Sequence, residues 1–179
     1  GAGGNFVVTR VRAGIKPPEP YRQARYVRVE SPGKARMLSL AEVEVFSGGR
    51  NIAAGGVAAQ SSTAEGAEAR RAIDGRTDGD ILNGSVSQTG TGDNPWWELD
   101  LGSTLPLERV LVWGRRGEDG TPAGLRVIVL DEGKNPVFER TTREAPRPTN
   151  KIELSDPREI KLARATADFA QASHDESLV

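Results

Sequence analysis

The chain has 179 residues, of which 36% are hydrophobic, with 21 glycines, 11 prolines and a formal net charge of −1 at pH 7. This composition is typical of one domain built from many short strands and turns, and the 24 basic and 25 acidic residues are too interspersed to favour a nucleic-acid partner. No apolar run approaches the roughly 18 residues that span a bilayer, and without cysteine the chain cannot form a disulfide, a thiolate metal site or a cysteine nucleophile.

Apolar and polar residues alternate along several short segments, which is the period-two pattern of half-buried strands. In chain order these segments are YVRVE (26–30), LAEVEVF (40–46), WWELDL (96–101) and RVLVW (109–113). LRVIVL at 125–130 is apolar on nearly both faces, which predicts a central strand covered on both sides. Turn-forming residues separate the strands, and only 66–73 predicts a short helix. The pattern therefore predicts an all-β fold, an antiparallel β-sandwich with at most one or two short helices.

Three regions are predicted along the chain. Residues 1–24 are predicted to be an N-terminal strand and a proline-rich linker belonging to a neighbouring domain, and 25–142 the β-sandwich. Residues 143–179 are predicted to hold a loop, a strand-like segment and a mobile polar tail. His174, the single histidine, falls in that tail, which argues against a histidine-based catalytic triad or zinc site, so we expect no enzyme.

The acidic, glycine-rich stretch AIDGRTDGDILNGSVSQT at 72–89 poses the main chemical question. Most such stretches are solvated turns. This one is not an EF-hand loop, because Arg76 or Leu82 falls where an oxygen ligand is needed. Calcium nevertheless takes about six to eight oxygens, backbone carbonyls included, so a tight loop with few acids can bind the ion if other ligands come from elsewhere. Both interpretations remain open at this point.

The tryptophans raise a separate question, because aromatic faces stack on sugars. Trp96 and Trp97 are adjacent on a predicted strand and must point to opposite faces, so at least one of them belongs to the core. We expect both to be mainly structural.

The run NIAAGGVAAQSST…AEARRAIDGRTDGD…NGSVSQT…DNPWWELDLGSTLPLERVLVWGRR resembles the fucolectin-like branch of the discoidin, or coagulation factor V/VIII type C, domains. Those domains are galactose-binding-like jelly-roll β-sandwiches related to family 32 carbohydrate-binding modules. RYVRVESPGKARMLSLAEVEVF at 25–46 resembles the last strands of fucolectins but stands before the core. The order therefore looks circularly permuted, which is physically acceptable because the termini of a domain often lie close together.

The resemblance implies a structural calcium ion, Ca²⁺. Carried over residue by residue, the ligands are the carboxylates of Glu42 and Asp74, the hydroxyl of Ser85 and the carbonyl oxygens of Ala41, Arg71 and Arg76. Arginines stand where the family has two asparagines, but those positions contribute only carbonyl oxygens, which every residue has. The other loop acids, Asp78 and Asp80, are expected to be solvated.

The resemblance also implies a sugar site, which in the family uses one histidine and two arginines. Gln88 stands at the histidine position and Arg115 matches the first arginine. The second arginine falls in TPAG at 121–124 and is missing, so Arg116 on the same loop is the candidate substitute. Fucose specificity is therefore not expected to carry over.

Together these features predict a calcium-stabilised, non-enzymatic, carbohydrate-binding (lectin-like) module of a larger secreted or cell-surface bacterial protein. Its expected partner is a glycan or polysaccharide, with an acidic or branched cell-surface glycan as one form, and neither a nucleic acid nor a membrane span is expected. The alternative is a structural or assembly module of an extracellular multidomain protein or polymer. In that case the sugar site would be lost and the terminal strands would contact neighbouring domains or subunits.

Overall fold

A computed structural model describes residues 21–117 and 120–155. Within these residues the chain forms ten β-strands and three short 3-10 helices, and it forms no α-helix. None of the described helices is long and apolar enough to cross a membrane. The predicted strand and most of the linker at the N-terminus lie outside the described residues, as do the strand-like segment beyond residue 155 and the polar tail with His174.

The strands are short, as the spacing of turn signals predicts. In chain order they are β1 (Arg22–Glu30), β2 (Ser39–Ser47), β3 (Arg50–Asn51), β4 (Val57–Gln60), β5 (Ser87–Gln88), β6 (Trp96–Leu107), β7 (Arg109–Gly114), β8 (Arg126–Leu130), β9 (Pro136–Thr141) and β10 (Thr149–Glu153). The 3-10 helices span Ala53–Gly55, Ala69–Ile73 and Ile81–Asn83. The short helix predicted over 66–73 is therefore only a five-residue 3-10 turn.

The strands form two sheets whose pairings are antiparallel throughout the described residues. The first sheet has the order β4-β6-β1-β8-β9, and the second has the order β10-β7-β2-β3 with β5 paired to the start of β2. Inner residues of both sheets meet in one hydrophobic cluster, which makes the fold a sandwich. The predicted all-β antiparallel sandwich is confirmed.

Alternation along β1 and β2 places the core residues. Val27 and Val29 of β1 are fully buried, as are Val43 and Val45 of β2, and all four belong to the common cluster. Successive side chains of a strand point to opposite faces, so one apolar set per strand is enough to build the core. β8 lies between β1 and β9 with Val127 to Leu130 all buried, which confirms the predicted central strand.

The two adjacent tryptophans separate as predicted. Trp97 is fully buried, and its indole N–H donates to the carbonyl oxygen of Ala69 at 2.9 Å, which ties β6 to the 3-10 helix Ala69–Ile73. Trp96 lies on the outer face, where the guanidinium of Arg28 stacks 4.3 Å from the ring centroid. Both side chains are structural.

The first two strands occupy central positions. β1 pairs with β6 and β8, and β2 pairs with β7, β3 and β5. Residues 25–46 thus contribute an interior strand to each sheet, and the circular permutation stays a prediction.

The sandwich extends further along the chain than predicted. β10 pairs with β7 from Thr149↔Trp113 to Glu153↔Arg109, so the predicted boundary at residue 142 lies too early. Ile152 is the one fully inward residue of this edge strand, and a proline-rich loop precedes it. A short edge strand with a single buried side chain gives almost no alternating pattern in the sequence.

Candidate functional site

The predicted sugar residues meet at one end of the sandwich because two strand ends converge there. β5 pairs with the start of β2 through Ser39↔Gln88, and β7 ends beside the same start through Leu40↔Gly114. The residue after Gly114 is Arg115, so the pairing brings it to the same end as Gln88.

Arg115 and Gln88 are in direct contact. The Arg115 Nη1 group donates to Gln88 Oε1 at 3.0 Å, and the Ser39 hydroxyl donates to the same oxygen at 3.1 Å. An amide oxygen has two lone pairs, so these two donors occupy its acceptor sites and leave the amide nitrogen as the remaining donor. Gln88 therefore orients Arg115.

The backbone of Arg115 is fixed by Thr121. The Arg115 N–H donates to the Thr121 hydroxyl oxygen at 2.8 Å, and that hydroxyl donates in turn to the carbonyl oxygen of Ser39. Thr121 lies in the segment where the family's second arginine is missing, and it supports the loop from within, being only 5% exposed. The Nε group of Arg115 is buried and has no acceptor among the described residues.

An open cavity of about 580 Å³ lies beside these residues, between the loop after β7 and the loop before β10. Arg115 and Arg116, both predicted for the sugar site, line the cavity, together with Arg147 from the second loop. Gln88 contacts Arg115 but does not line the cavity. The volume of this cavity is within the ordinary range for sites that bind small molecules.

The loop before β10 packs closely against the end of β7. Gly114 donates its N–H to the carbonyl oxygen of Pro148 at 2.8 Å, and a Cβ at Gly114 would lie 2.4 Å from the carbonyl oxygen of Pro146. Glycine is needed here for this close approach. Arg147 stands between these two prolines, so the chain on both sides of it is held against β7.

Glu42, a predicted calcium ligand, is buried with an incomplete set of partners. The side chain is 1% exposed, and its Oε1 accepts the Gly75 N–H at 3.1 Å. Its Oε2 is buried and has no partner among the described residues. Burial is the largest cause that raises the pKa of Glu42 to about 7, and the nearby carboxylates of Asp74 and Glu44 raise the pKa further.

Ala41 lies at an irregularity in the pairing of β2 with β7. The register between β2 and β7 shifts between Leu40 and Glu42, so Ala41 has no partner residue in β7. A bulge of this kind removes a residue from the ladder and re-aims its backbone. The feature is compatible with a ligand role for the Ala41 carbonyl oxygen.

Of the remaining predicted ligands, Asp74 and Arg76 are hydrogen-bonded to each other, whereas Ser85 is hydrogen-bonded to Asp78. Asp74 is exposed, and its Oδ1 accepts the Arg76 N–H at 2.9 Å, close to the Glu42–Gly75 contact. Arg71 and Asp74 both line a second open cavity of about 570 Å³. Ser85 is buried, but its hydroxyl donates to Asp78 Oδ1 at 2.7 Å instead of contacting Glu42 or Asp74.

Asp78 and Asp80 are not the simply solvated acids that we expected. Asp78 Oδ1 also accepts the Asp80 N–H at 2.8 Å, and its bonds from Ser85 and Asp80 lower the pKa of Asp78. Asp80 Oδ1 accepts the Leu82 N–H at 2.9 Å and caps the 3-10 helix Ile81–Asn83. These acids hold the loop together, since short acidic side chains readily bond to backbone two residues on.

The predicted donor set fits calcium chemically. Across the described parts of the chain, no three His, Cys, Asp or Glu side chains gather into a metal-binding group. The predicted set contains only two carboxylates, and calcium accepts hydroxyl and carbonyl oxygens for the rest. The unpartnered, buried Glu42 Oε2 is the observation that favours a cation, because a buried carboxylate is costly without a counter-charge.

The acidic loop also supports the arginine loop. Arg116 donates its N–H to the carbonyl oxygen of Gly79 at 2.9 Å. Gly79 has a φ of +69°, and a Cβ there would lie 2.7 Å from the carbonyl oxygen of Gly114. The acidic loop and the loop that carries the arginines are therefore in contact through backbone atoms.

A comparison with known protein families identifies the family of this chain. The model of the NedA-like, galactose-binding domain family matches residues 71–164. The chain belongs to this family.

Among curated relatives, Fucolectin-6 of Anguilla japonica is 37% identical over 93 residues, which cover 48% of this chain and 47% of the relative. Fucolectin-1 of Anguilla japonica is 39% identical over 91 residues, covering 48% and 51%.

The chain thus spans about half the length of these curated relatives. No solved structure matches. The resemblance to fucolectin-like discoidin domains is confirmed.

Two features of the candidate site in this member of the galactose-binding domain family were not predicted from the sequence. Arg147 was placed in a loop outside the sandwich, and the structure brings it to the cavity that Arg115 and Arg116 line. The support of Arg116 by Gly79 was also missed. A glycine inside a run of acidic residues was the only available signal for it.

Proposed function

We propose that this domain is a non-enzymatic, carbohydrate-binding, lectin-like module that recognises a glycan or polysaccharide. Recognition takes place at the cavity lined by Arg115 and Arg116, with Gln88 positioning Arg115. Membership of a family described as galactose-binding supports this function, as do relatives that are named fucolectins. The observation that carries the proposal is the Arg115 side chain, which lines the cavity and is held by Gln88.

Arg115 has suitable chemistry for a sugar. A guanidinium carries five N–H donors in a fixed plane, and one of the five is used by Gln88 Oε1. Sugar hydroxyls can accept from the Nη donors that Gln88 leaves free, whereas the buried Nε group is not open to the cavity. Since the side chain and the backbone of Arg115 are both held before any ligand arrives, little further conformational entropy is lost on binding.

We also propose that one calcium ion stabilises the domain. Glu42 and Asp74 would supply its carboxylates, Ser85 its hydroxyl, and Ala41, Arg71 and Arg76 its carbonyl oxygens. The ion would supply the positive charge that the buried Glu42 carboxylate lacks, and binding to the folded state would add stability by mass action. This role is structural.

The module is further proposed to belong to a larger secreted or cell-surface protein. Glycans displayed outside cells are the ligands that such a module would meet. Labelling of intact cells with an antibody against the domain tests this placement, and signal only after permeabilisation would contradict it. The assembly alternative depends on terminal strands that lie outside the described residues, so no observation favours it over sugar binding.

Isothermal titration with a panel of neutral and acidic monosaccharides tests the binding function. We expect saturable binding that Arg115→Ala abolishes. Arg50→Ala is the matched control, because Arg50 is an exposed arginine paired with the far end of β2, eight residues and thus about 26 Å from Ser39. The absence of any binding by the folded domain would overturn the proposal.

A further inference from the structure

Among the described residues, the charged side chains that line the cavity beside Arg115 are all arginines. We call it the arginine pocket, defined by Arg115 and Arg116 from the loop after β7 and by Arg147 from the loop before β10. No aspartate or glutamate is among the described residues that line it. Three permanent positive charges therefore surround one cavity of about 580 Å³.

Several arginines elsewhere in the domain pair with acids. On the outer face of the first sheet, Arg25 pairs with Asp100 at 2.8 Å, Arg28 with Glu30 at 2.7 Å and Arg126 with Glu139 at 2.8 Å. Within the described residues, the three pocket arginines form no such ion pair. Arg116 helps to lower the pKa of Asp78, but the Asp78 carboxylate accepts from Ser85 and does not line the pocket.

The pocket arginines also retain hydrogen-bonding capacity. Arg115 uses Nη1 for Gln88, and its Nε has no acceptor among the described residues. Because that Nε is buried, the groups that can reach a ligand are the terminal nitrogens of the arginines that line the cavity. Oxygens of a carboxylate or a sulfate can satisfy a guanidinium in a bidentate, charge-assisted way, which a neutral hydroxyl cannot.

The loop before β10, which carries Arg147, is packed against the end of β7. Its neighbours Pro146 and Pro148 are packed on Gly114 through the close contact and the hydrogen bond described above. Arg147 is thus displayed at a fixed place opposite Arg115 and Arg116, although its side chain is exposed.

We propose that the arginine pocket selects saccharides that carry an anionic group, a carboxylate or a sulfate, over their neutral counterparts, with Arg147 as a specificity-determining residue. This inference rests on the proposed carbohydrate-binding function. It adds the chemical class of the ligand. The shared requirement is an oxyanion on a sugar ring.

Three probes that share a galactose ring test the proposal: galactose, galacturonic acid and galactose 6-sulfate, each titrated into the domain at pH 7. We expect the two acidic probes to bind about tenfold more tightly than galactose, which corresponds to one good charge-assisted pair. The preference should shrink as sodium chloride rises from about 0.02 to 0.2 M, because salt screens exposed charges.

Variants assign the preference to the pocket. Arg147→Gln should reduce the affinity for the acidic probes about fivefold and leave galactose within about twofold. Arg143→Gln is the matched control, since Arg143 is an exposed arginine of the same connection but does not line the pocket. Arg116→Gln offers a second variant if Arg147→Gln lowers the melting temperature.

The outcomes separate the two proposals. Binding of galactose with equal or weaker binding of both acidic probes would overturn the inference and leave the carbohydrate-binding function in place. Binding of none of the three would overturn the inference, and the absence of binding across the whole monosaccharide panel would overturn the carbohydrate-binding function as well. Equal effects of Arg147→Gln and Arg143→Gln would show that net charge, not the pocket, sets the preference, and would also overturn the inference.

The same loop carries two acids, Glu118 and Asp119, outside the described residues. The double variant Glu118→Gln/Asp119→Asn should strengthen binding of the acidic probes, because it removes negative charge from the loop that bears Arg115 and Arg116. Loss of the preference in this variant would contradict the proposal.

Discussion

Arg115 donates a hydrogen bond from Nη1 to the side-chain oxygen of Gln88 across 3.0 Å. The resemblance to fucolectins predicts Gln88 at the position of a sugar-binding histidine, but Gln88 does not line the cavity beside Arg115. Gln88 thus acts on the arginine beside it. A polar site of this kind depends on positioning as much as on the groups that touch the ligand.

Gln88→Leu should weaken sugar binding by about tenfold, because Arg115 loses the acceptor that fixes its guanidinium. Gln88→Glu keeps an acceptor for Arg115 and should retain most of the affinity for a neutral sugar. Titration of both variants with galactose measures the difference. If Gln88→Glu weakened binding as much as Gln88→Leu, the amide itself would contact the sugar.

A double-mutant cycle separates positioning from direct contact. In an Arg115→Ala background, Gln88→Leu should have no further effect on the affinity, since the group that it positions is already absent. An additive loss in the double variant would contradict the positioning role of Gln88.

Removal of calcium should lower the thermal stability of the domain. Calcium at about 100 times its dissociation constant adds about 2.7 kcal/mol, so chelation with EDTA should lower the melting temperature by several degrees. Asp74→Asn should abolish this calcium response when unfolding is followed by circular dichroism. Glu153→Gln, which alters an exposed carboxylate on β10, should keep the full response. A wild-type melting temperature that EDTA leaves unchanged would refute the calcium proposal.

The metal-free domain should become less stable as pH rises from about 4.5 to about 7. The pKa of Glu42 is raised from 4.5 to about 7 in the folded state, mainly by burial, so in this window the folded state binds more protons than the unfolded state. Its stabilising contribution is fully present below the unfolded pKa and is lost as pH rises through the folded pKa. Since one pKa unit corresponds to about 1.4 kcal/mol, the loss should be of the order of 3 kcal/mol.

Denaturant unfolding in EDTA at several pH values measures this dependence. Glu42→Gln should flatten the curve between about pH 4.5 and 7, because the amide does not titrate. A profile in Glu42→Gln that matches the wild type would show that other groups carry the dependence.

Gly79→Ala should weaken sugar binding although Gly79 is not a sugar ligand. A Cβ there would lie 2.7 Å from the carbonyl oxygen of Gly114, and the Gly79 carbonyl holds the Arg116 N–H. Gly102→Ala is the matched control, because Gly102 has a similar φ of +80° and nothing within 4 Å of the added Cβ. Both variants bear the cost of a positive φ, of order 1 kcal/mol, but only Gly79→Ala should shift the arginine loop. Equal sugar affinities of the two variants would contradict the support of the arginine loop by Gly79.

Strand positions and their buried faces were predictable from the sequence alone. The alternation in β1, β2 and β7 and the apolar run in β8 give the core residues directly, since a strand turns successive side chains to opposite faces whatever the surroundings. The adjacent tryptophans follow the same local rule. β10 escaped prediction because one inward residue, Ile152, does not make a pattern.

The chemistry of the loops was decided by the tertiary structure. The sequence pointed to Gln88, Arg115 and Glu42, but not to the Gln88–Arg115 hydrogen bond or to the unpartnered oxygen of Glu42. The bracing role of Asp78 and the placement of Arg147 beside Arg115 also appeared only in the folded chain. The residues involved are distant in sequence or lie on different loops. Asp78 and Ser85 are 7 positions apart, and Glu42 and Gly75 are 33 positions apart. The periodicity of a sequence indicates which face of its strand a side chain occupies. The partner of that side chain in another part of the fold depends on how the two sheets and their connecting loops pack together.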